Sequence, residues 1–313
     1  MDKIKTIYYR GFLKSCNFAC DYCPFAKKAC TSKELAKDKA ALLRFYETIA
    51  EMANIETIFI IPYGEAMIHP YYHEILVKIS KLPHIKHVSI QSNLSWPVEQ
   101  VLQTFDAMQA DISKIHFWLT YHLAAKPVIG ETWSNDTTRS VVTFLQKCLA
   151  LHEHGLRFCV GSVAKSGDIL DNQFGEPPLN VNIAALGWLK NRLPADTYFW
   201  LNALEGANVQ YSDEEIAAFT ELDPLFPLEL NNIKADSGLC DAGEKSIFVK
   251  ANGDIYPCIL SKQALGNLYE NTFEKLTTCK CKLCSCYLAY SCRRDIVELN
   301  EFMGEGKAIR LPK

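Results

Sequence analysis

Thr6-Ile7-Tyr8-Tyr9-Arg10-Gly11-Phe12 runs through Leu13-Lys14-Ser15 into Cys16-Asn17-Phe18-Ala19-Cys20-Asp21-Tyr22-Cys23. The first segment has the aromatic and β-branched bias of a strand, and the second is a CxxxCxxC loop directly after it. Three thiolates within eight residues can wrap a cubane, ligate three irons and leave the fourth without a protein ligand. A fourth cysteine would close such a site for electron transfer alone. An open iron lets the amino and carboxylate groups of an external amino acid chelate it. A structural zinc site is the competing reading of the same three residues.

Working outward, short apolar runs alternate with amphipathic stretches to about residue 220, the habit of βα units and a parallel sheet. Six strands are expected: Thr6 to Phe12, Thr57 to Pro62, His87 to Gln91, Lys114 to Tyr121, Arg157 to Ala164 and Tyr198 to Leu204. Thr31 and Glu34 form a capping box for a first helix carrying Leu35, Leu42, Tyr46 and Ile49 at near-helical spacing. Further helices are expected over Tyr71 to Lys81, Val98 to Gln109, Thr138 to His154, Asn180 to Leu193 and Asp213 to Leu222. Lys165 to Leu179, broken by Gly and Pro, reads as a loop or lid over the face where the strands end. The run from Asp223 to Asn232, DPLFPLELNN, reads as a break in regular structure that links to a second unit.

The 313 residues suit a main domain over 1–230 and a smaller unit over 235–300. A net charge of −3 with 49% hydrophobic residues describes a globular chain without the basic excess that draws nucleic acid. The N-terminus lacks a signal-type apolar core and no long apolar run follows, so a cytoplasmic protein that spans no membrane is expected. Of the thirteen cysteines, three lie at 16–23 and seven between 240 and 292. Such clustering is the behaviour of metal ligands.

The CxxxCxxC loop after a first strand, with the aromatic Tyr22 before its last cysteine, resembles the radical S-adenosylmethionine (SAM) superfamily. The resemblance implies a partial (β/α)6 TIM barrel, an α/β fold, with a [4Fe-4S] cluster held by Cys16, Cys20 and Cys23 at its mouth. It also implies that an electron from the cluster splits SAM to methionine and a 5′-deoxyadenosyl radical, which abstracts a substrate hydrogen. Ile58-Phe59-Ile60-Ile61-Pro62 leads into Tyr63-Gly64-Glu65, which resembles the family's Gly-Gly-Glu motif with Tyr63 in place of the first glycine. Gly64 and Glu65 are thereby implied at the SAM amino group. Ser92 and Asn93 end the third strand, where related enzymes place polar residues against the SAM ribose or carboxylate; Asn93 could equally cap the next helix. His122, after the fourth strand, is the candidate catalytic residue facing the cavity, or a satisfied structural histidine. Ser162 and Asn202, near the ends of the fifth and sixth strands, are cofactor-binding candidates by the same positional logic, or core packing.

Cys240, Gly253 and Cys258 flank a turn at Asn252-Gly253-Asp254 that brings two short strands together. With the flanking IFVKANGDIYPCIL and LGNLYENTFEKL, they resemble the SPASM and twitch extensions that carry auxiliary clusters. Cys281 and Cys284 form the CxxC pair that, with Cys240 and Cys258, would complete one closed auxiliary [4Fe-4S] cluster in a cysteine-rich β-hairpin and helix extension. Cys279, Cys286 and Cys292 are left over, and a full SPASM pattern fails because positions 290 and 294 are Tyr and Arg. A second cluster then requires an open iron; a zinc ribbon is the alternative.

The resemblance implies an enzyme that oxidises or crosslinks a small molecule or peptide, reduced by an external donor such as flavodoxin or ferredoxin. With no extension before the barrel, a small substrate or a separately delivered peptide is the closer expectation. A molybdopterin-precursor-type cyclase also pairs CxxxCxxC with a C-terminal cluster, but the ending GEGKAIRLPK lacks that group's glycine-rich arginine tail. The reading from a different class is an iron–sulfur electron carrier or metal-stabilised binding protein without SAM chemistry.

Overall fold

The computed structural model describes residues 1–25, 28–123, 137–166, 169–170, 179–204, 210–230, 233–236, 239–274 and 279–312. The first two-thirds alternates β1 (Thr6–Arg10), α1 (Ser32–Ala50), β2 (Thr57–Ile60), α2 (Pro70–Ser80), β3 (His87–Ser92), α3 (Val98–Ala107), β4 (Ile115–Thr120), α4 (Thr137–Glu153) and β5 (Arg157–Ala164). A two-residue antiparallel pair, β6 (Ile169–Leu170) and β7 (Leu179–Asn180), precedes α5 (Val181–Lys190), β8 (Phe199–Ala203) and α6 (Asp213–Leu222). All six expected barrel strands are present, and the lid expected over Lys165 to Leu179 lies mostly outside the described residues. The capping box at Thr31 and Glu34 forms as expected and starts α1.

Residues 223–230 depart from the expected break, because α7 (Phe226–Leu230) forms there. Asp223 accepts from the amide of Leu225 at 3.0 Å, which tightens the entry to the helix. Pro227 falls in the first turn, where its missing N–H costs nothing. Phe226 packs on Phe219 and Tyr211 and anchors the turn in the core.

Then follow β9 (Ile233–Lys234), β10 (Ser246–Lys250), β11 (Asp254–Tyr256), β12 (Gly266–Asn267), β13 (Thr272–Phe273), β14 (Leu283–Cys284), α8 (Tyr287–Tyr290) and α9 (Val297–Met303). β10 and β11 are the expected hairpin. The ten-stranded sheet runs β13-β12-β11-β10-β1-β2-β3-β4-β5-β8, and β10 lies parallel to β1 with Arg10 opposite Lys250. The cysteine-rich segment is therefore stitched to the open edge of the barrel, beside the strand that leads into the first cysteine loop.

Strand alternation separates two packed faces. Ile7, Ile58, Val88, Phe117 and Val160 pack outward against helix residues such as Leu42, Phe45 and Leu76. Tyr8, Phe59, Trp118, Trp200 and Phe248 face inward, where Tyr287, Tyr290, Met303 and Ile309 from the C-terminal segment cover them. Arg310 enters this interior with its guanidinium 4.4 Å from the Trp118 and Trp200 ring centroids and 3.8 Å from that of Tyr287. Its charge is matched by Glu229 at 3.4 Å, and it donates to Asn202 Oδ1 at 2.9 Å.

Asp38 ties α1 to the strand–loop junction. Its fully buried carboxylate accepts from the Leu13 amide at 2.8 Å and from the hydroxyls of Tyr71 and Tyr72 at 2.9 and 2.8 Å. Asp38→Ala orphans three donors in a dry site, so chemical denaturation should show a loss of about 3 kcal/mol or more.

His116, inward on β4, bonds Ser89 Oγ at 3.2 Å through Nδ1, while its buried Nε2 has no partner among the described residues. Burial pulls its pKa down to about 3. A depressed folded-state value means the unfolded chain takes up the proton first, so stability falls as pH drops below the ordinary value near 6.5. Between pH 7 and pH 5 this single group should cost about 2 kcal/mol. His116→Phe should flatten that part of a stability–pH curve measured by denaturant unfolding.

Candidate functional site

β1 delivers the chain to the ligand-bearing end of the sheet, and the loop that follows folds back over the ends of β2 and β3. Phe18 and Cys20 are buried, with Cys16, Tyr22 and Cys23 packed around them. The amide of Phe18 donates to Cys16 Sγ at 3.4 Å, and Asn93 Nδ2 lies 4.0 Å from the same sulfur. Burial pushes Cys16 up to about 12, and the charges of Glu65, Cys20 and Cys23 add to the rise, so the three sulfurs share one neighbourhood. Bound iron would displace those protons and offset the cost of gathering the thiolates. Three soft sulfur donors on one loop, packed around the buried Phe18, fit a cubane.

Gly64 makes the loop's position possible. A Cβ there would sit 1.8 Å from the Ser15 carbonyl oxygen, so only glycine lets the loop backbone close down. The neighbouring Glu65 amide donates to that same oxygen at 2.8 Å. Glu65 itself is buried. Its Oε1 accepts from the Met67 amide at 2.9 Å and Ser92 Oγ at 3.0 Å, and its Oε2 accepts from the Asn93 amide. Burial raises its pKa to about 7, opposed by these donors. Ser92 also receives Trp96 Nε1 at 2.8 Å, and Asn93 donates to Asn17 Oδ1 at 3.1 Å. Glu65, Ser92 and Asn93 thus form one network that holds the cysteine loop.

Across the mouth, Tyr22 and His122 meet in a hydroxyl–Nδ1 hydrogen bond of 2.5 Å, and Phe18 stands edge-on to the imidazole. Burial lowers His122 to about 4 and holds the ring neutral near pH 7. The structure brings Cys16, Cys20, Cys23, Tyr22, Gly64, Glu65, Ser92, Asn93 and His122 together. Ser162 donates to the Tyr121 carbonyl at 2.7 Å on the helix-facing side of β5, whereas Asn202 faces inward and holds Arg310.

Cys240, Cys258, Cys279, Cys281 and Cys284 line one cavity of the C-terminal unit. β14, which carries Cys284, pairs with β9 in a small sheet of its own, and the shared cavity brings the CxxC segment to Cys258 at the end of the hairpin. The proximity of Cys240 and burial push Cys292, whose thiol donates to the Leu288 carbonyl at 3.8 Å, upward, while Cys240 beside it is pulled down to about 7. Burial drives Cys258 up to about 12. Cys279 and Cys292, which the spacing left without a role, thus belong to the same nest as the four expected ligands. Among the described residues no group of His, Cys, Asp or Glu is set to hold a single metal ion; a cubane takes each thiolate on a separate iron.

Residues 240–294 match the SPASM iron–sulfur cluster-binding domain. The chain is similar in fold to native anSMEcpe with bound AdoMet, at TM-score 0.52 and 15% identity over 85% of this chain and 78% of that one. The fold is the partial TIM-like α/β fold of anSMEcpe. Similar too are anSMEcpe with AdoMet and Cp18Cys peptide (TM-score 0.51, 15% identity) and with AdoMet and Kp18Cys peptide (TM-score 0.52, 14% identity), each over 85% of this chain and 78% of that one. No curated protein matches the chain in sequence. No helix among the described residues is long and apolar enough to cross a membrane.

Sequence reasoning missed Asp38, Asn17 and Arg310. Asp38 left a trace, a carboxylate on the apolar face of α1 between Leu35 and Leu42; the other two are surrounded only through long-range folding. Gly64→Ala should cost about 2 kcal/mol or more, because the clash is with backbone that cannot rotate away. Anaerobic reconstitution of this variant should leave the first site without iron while the C-terminal site loads normally, as read by iron analysis.

Proposed function

We propose that the chain is a radical SAM enzyme. In this reading Cys16, Cys20 and Cys23 hold a [4Fe-4S] cluster that, when bound, supplies the electron that cleaves SAM to methionine and a hydrogen-abstracting 5′-deoxyadenosyl radical. The observation that carries the proposal is the gathering of three thiols around the buried Phe18, in the loop at the strand end where ligands bind in such folds.

The chain's own residues then have defined tasks. Gly64 admits the loop backbone, and Asn17 and Asn93 fix its side chains. The Phe18 amide steadies sulfur in its thiolate form. Each carboxylate oxygen of Glu65 has lone pairs beyond one donor, so Glu65 can receive the SAM amino group while still holding Asn93 and Ser92. Neutral His122 and Tyr22, joined at 2.5 Å, stand beside the cysteine loop and would border the SAM bound there. A second [4Fe-4S] cluster, in the Cys240, Cys258, Cys281 and Cys284 site, would take an electron from the oxidised substrate. That arrangement favours net oxidation or crosslinking of a small molecule or a peptide, with a flavodoxin or ferredoxin as reductant in the cytoplasm. The peptide complexes of the structurally similar anSMEcpe support the peptide branch.

Anaerobically reconstituted protein given SAM and dithionite should release 5′-deoxyadenosine, and Cys20→Ala should reduce the yield to background. Loaded protein that yields no 5′-deoxyadenosine and whose spectrum ignores SAM would instead be an electron carrier.

A further inference from the structure

The stretch Cys279–Arg294 carries Lys280, Lys282, Arg293 and Arg294 and no aspartate or glutamate, in a chain whose net charge is −3. The two arginines are paired on folding. Arg293 lies 2.7 Å from Asp295, and Arg294 lies 3.4 Å from Asp241 and 3.7 Å from Glu244. Lys280 and Lys282, one on each side of Cys281, stay exposed, as does Lys234. None of these three lysines has an ion-pair partner among the described residues. β9 and β14 set Lys234 directly opposite Leu283, so these two side chains share one face of the small sheet. The Ala235 amide donates to the Lys282 carbonyl at 3.0 Å, which keeps Lys234 and Lys282 on the same pair of strands.

Apolar side chains lie among these charges. Leu283 is 43% exposed, and Leu239, directly before Cys240, is 40% exposed. Leu283 and the exposed Asp236 also line the cavity that gathers Cys240, Cys258, Cys279, Cys281 and Cys284. The cysteine cavity therefore comes to the surface at this patch, and Asp236 is the single carboxylate among its lining residues. Exposed leucines beside unpaired cations have the composition of a small transient interface, apolar at the centre and polar at the rim. The cations select an acidic partner and speed its arrival by long-range attraction. The position selects the partner's chemistry, because a protein seated on Leu283 lies against the cysteine cavity.

We propose that this face docks a small acidic one-electron carrier protein of the flavodoxin type, which takes up the electron that the C-terminal site has received from substrate. This rests on the reading that the site holds an iron–sulfur cluster, and it adds where the carrier sits. One electron leaves the site and one enters the carrier; no bond is made or broken. Lys234, Lys280 and Lys282 orient the carrier and take no part in the transfer.

The test measures the Kd of oxidised flavodoxin for the iron-loaded full chain by calorimetry, with lysine contacts mapped by carbodiimide cross-linking and mass spectrometry. Affinity of the parent chain should fall about tenfold between about 0.02 and about 0.2 M salt. Lys234→Glu, Lys280→Glu and Lys282→Glu together should weaken binding about tenfold or more at low salt and remove the salt dependence. The same three positions changed to Arg should keep both. Iron content is read for every variant; if the Glu chain loads poorly, the three lysines changed to Gln should show the same loss at a smaller size. Cross-links should join flavodoxin carboxylates to Lys234, Lys280 or Lys282. Equal affinity in the parent and the charge-changed chains, no binding of flavodoxin, or cross-links confined to lysines elsewhere overturns the proposal and leaves the cluster reading intact. A parent chain that loads no iron at the C-terminal site overturns both.

Discussion

A single backbone contact organises the mouth of the barrel: the Ser15 carbonyl accepts from the Glu65 amide at 2.8 Å, in space that exists only because residue 64 has no side chain. Without that contact the cysteine loop would have no fixed height above the sheet. With it, Glu65 turns inward, collects donors from β3 and the loop after β2, and passes the alignment to Asn93 and Asn17. Three thiols with no regular secondary structure of their own are thereby held by the rigid ends of three strands. Loops set on a rigid scaffold in this way can place ligands without being stiff themselves.

The second constraint is the parallel pairing of β10 with β1. Antiparallel hairpins are easily made from neighbouring sequence, but a parallel partner more than two hundred residues away must be recruited by packing. Its consequence is geometric. The same strand that delivers the first cysteine loop also carries the second cysteine unit on its other edge. The inward faces of the two are sealed by Tyr287, Tyr290 and the buried Arg310–Glu229 pair, whose cation is wrapped by Trp118 and Trp200. The barrel interior on that side is a packed core made by the chain's own C-terminal residues.

Burial sets the electrostatic character of both sites. Around the first loop it raises Cys16 and Glu65 and lowers His122, so the cluster-free site favours neutral groups. In the C-terminal nest Cys240 is pulled down beside Cys292 and is the readier thiolate. Iron binding reverses the first preference by exchanging protons for metal, which couples cluster loading to pH and to folding.

What the residues declared unaided follows from local physics. The CxxxCxxC spacing, the strand–helix alternation, the capping box at Thr31 and the turn at Asn252-Gly253 each depend on neighbours within a few positions, so they could be read before any fold was known. Even there the short α7 was missed, because Pro227 reads as a break unless Asp223 is seen bonding the amide that follows it. The roles of Gly64, Asp38 and Arg310, and the joining of Cys279 to the cavity of the four expected ligands, were decided only by tertiary structure. Their partners lie far away in sequence, and the energy of a buried charge, a close backbone approach or a shared cavity exists only once distant segments have excluded water together.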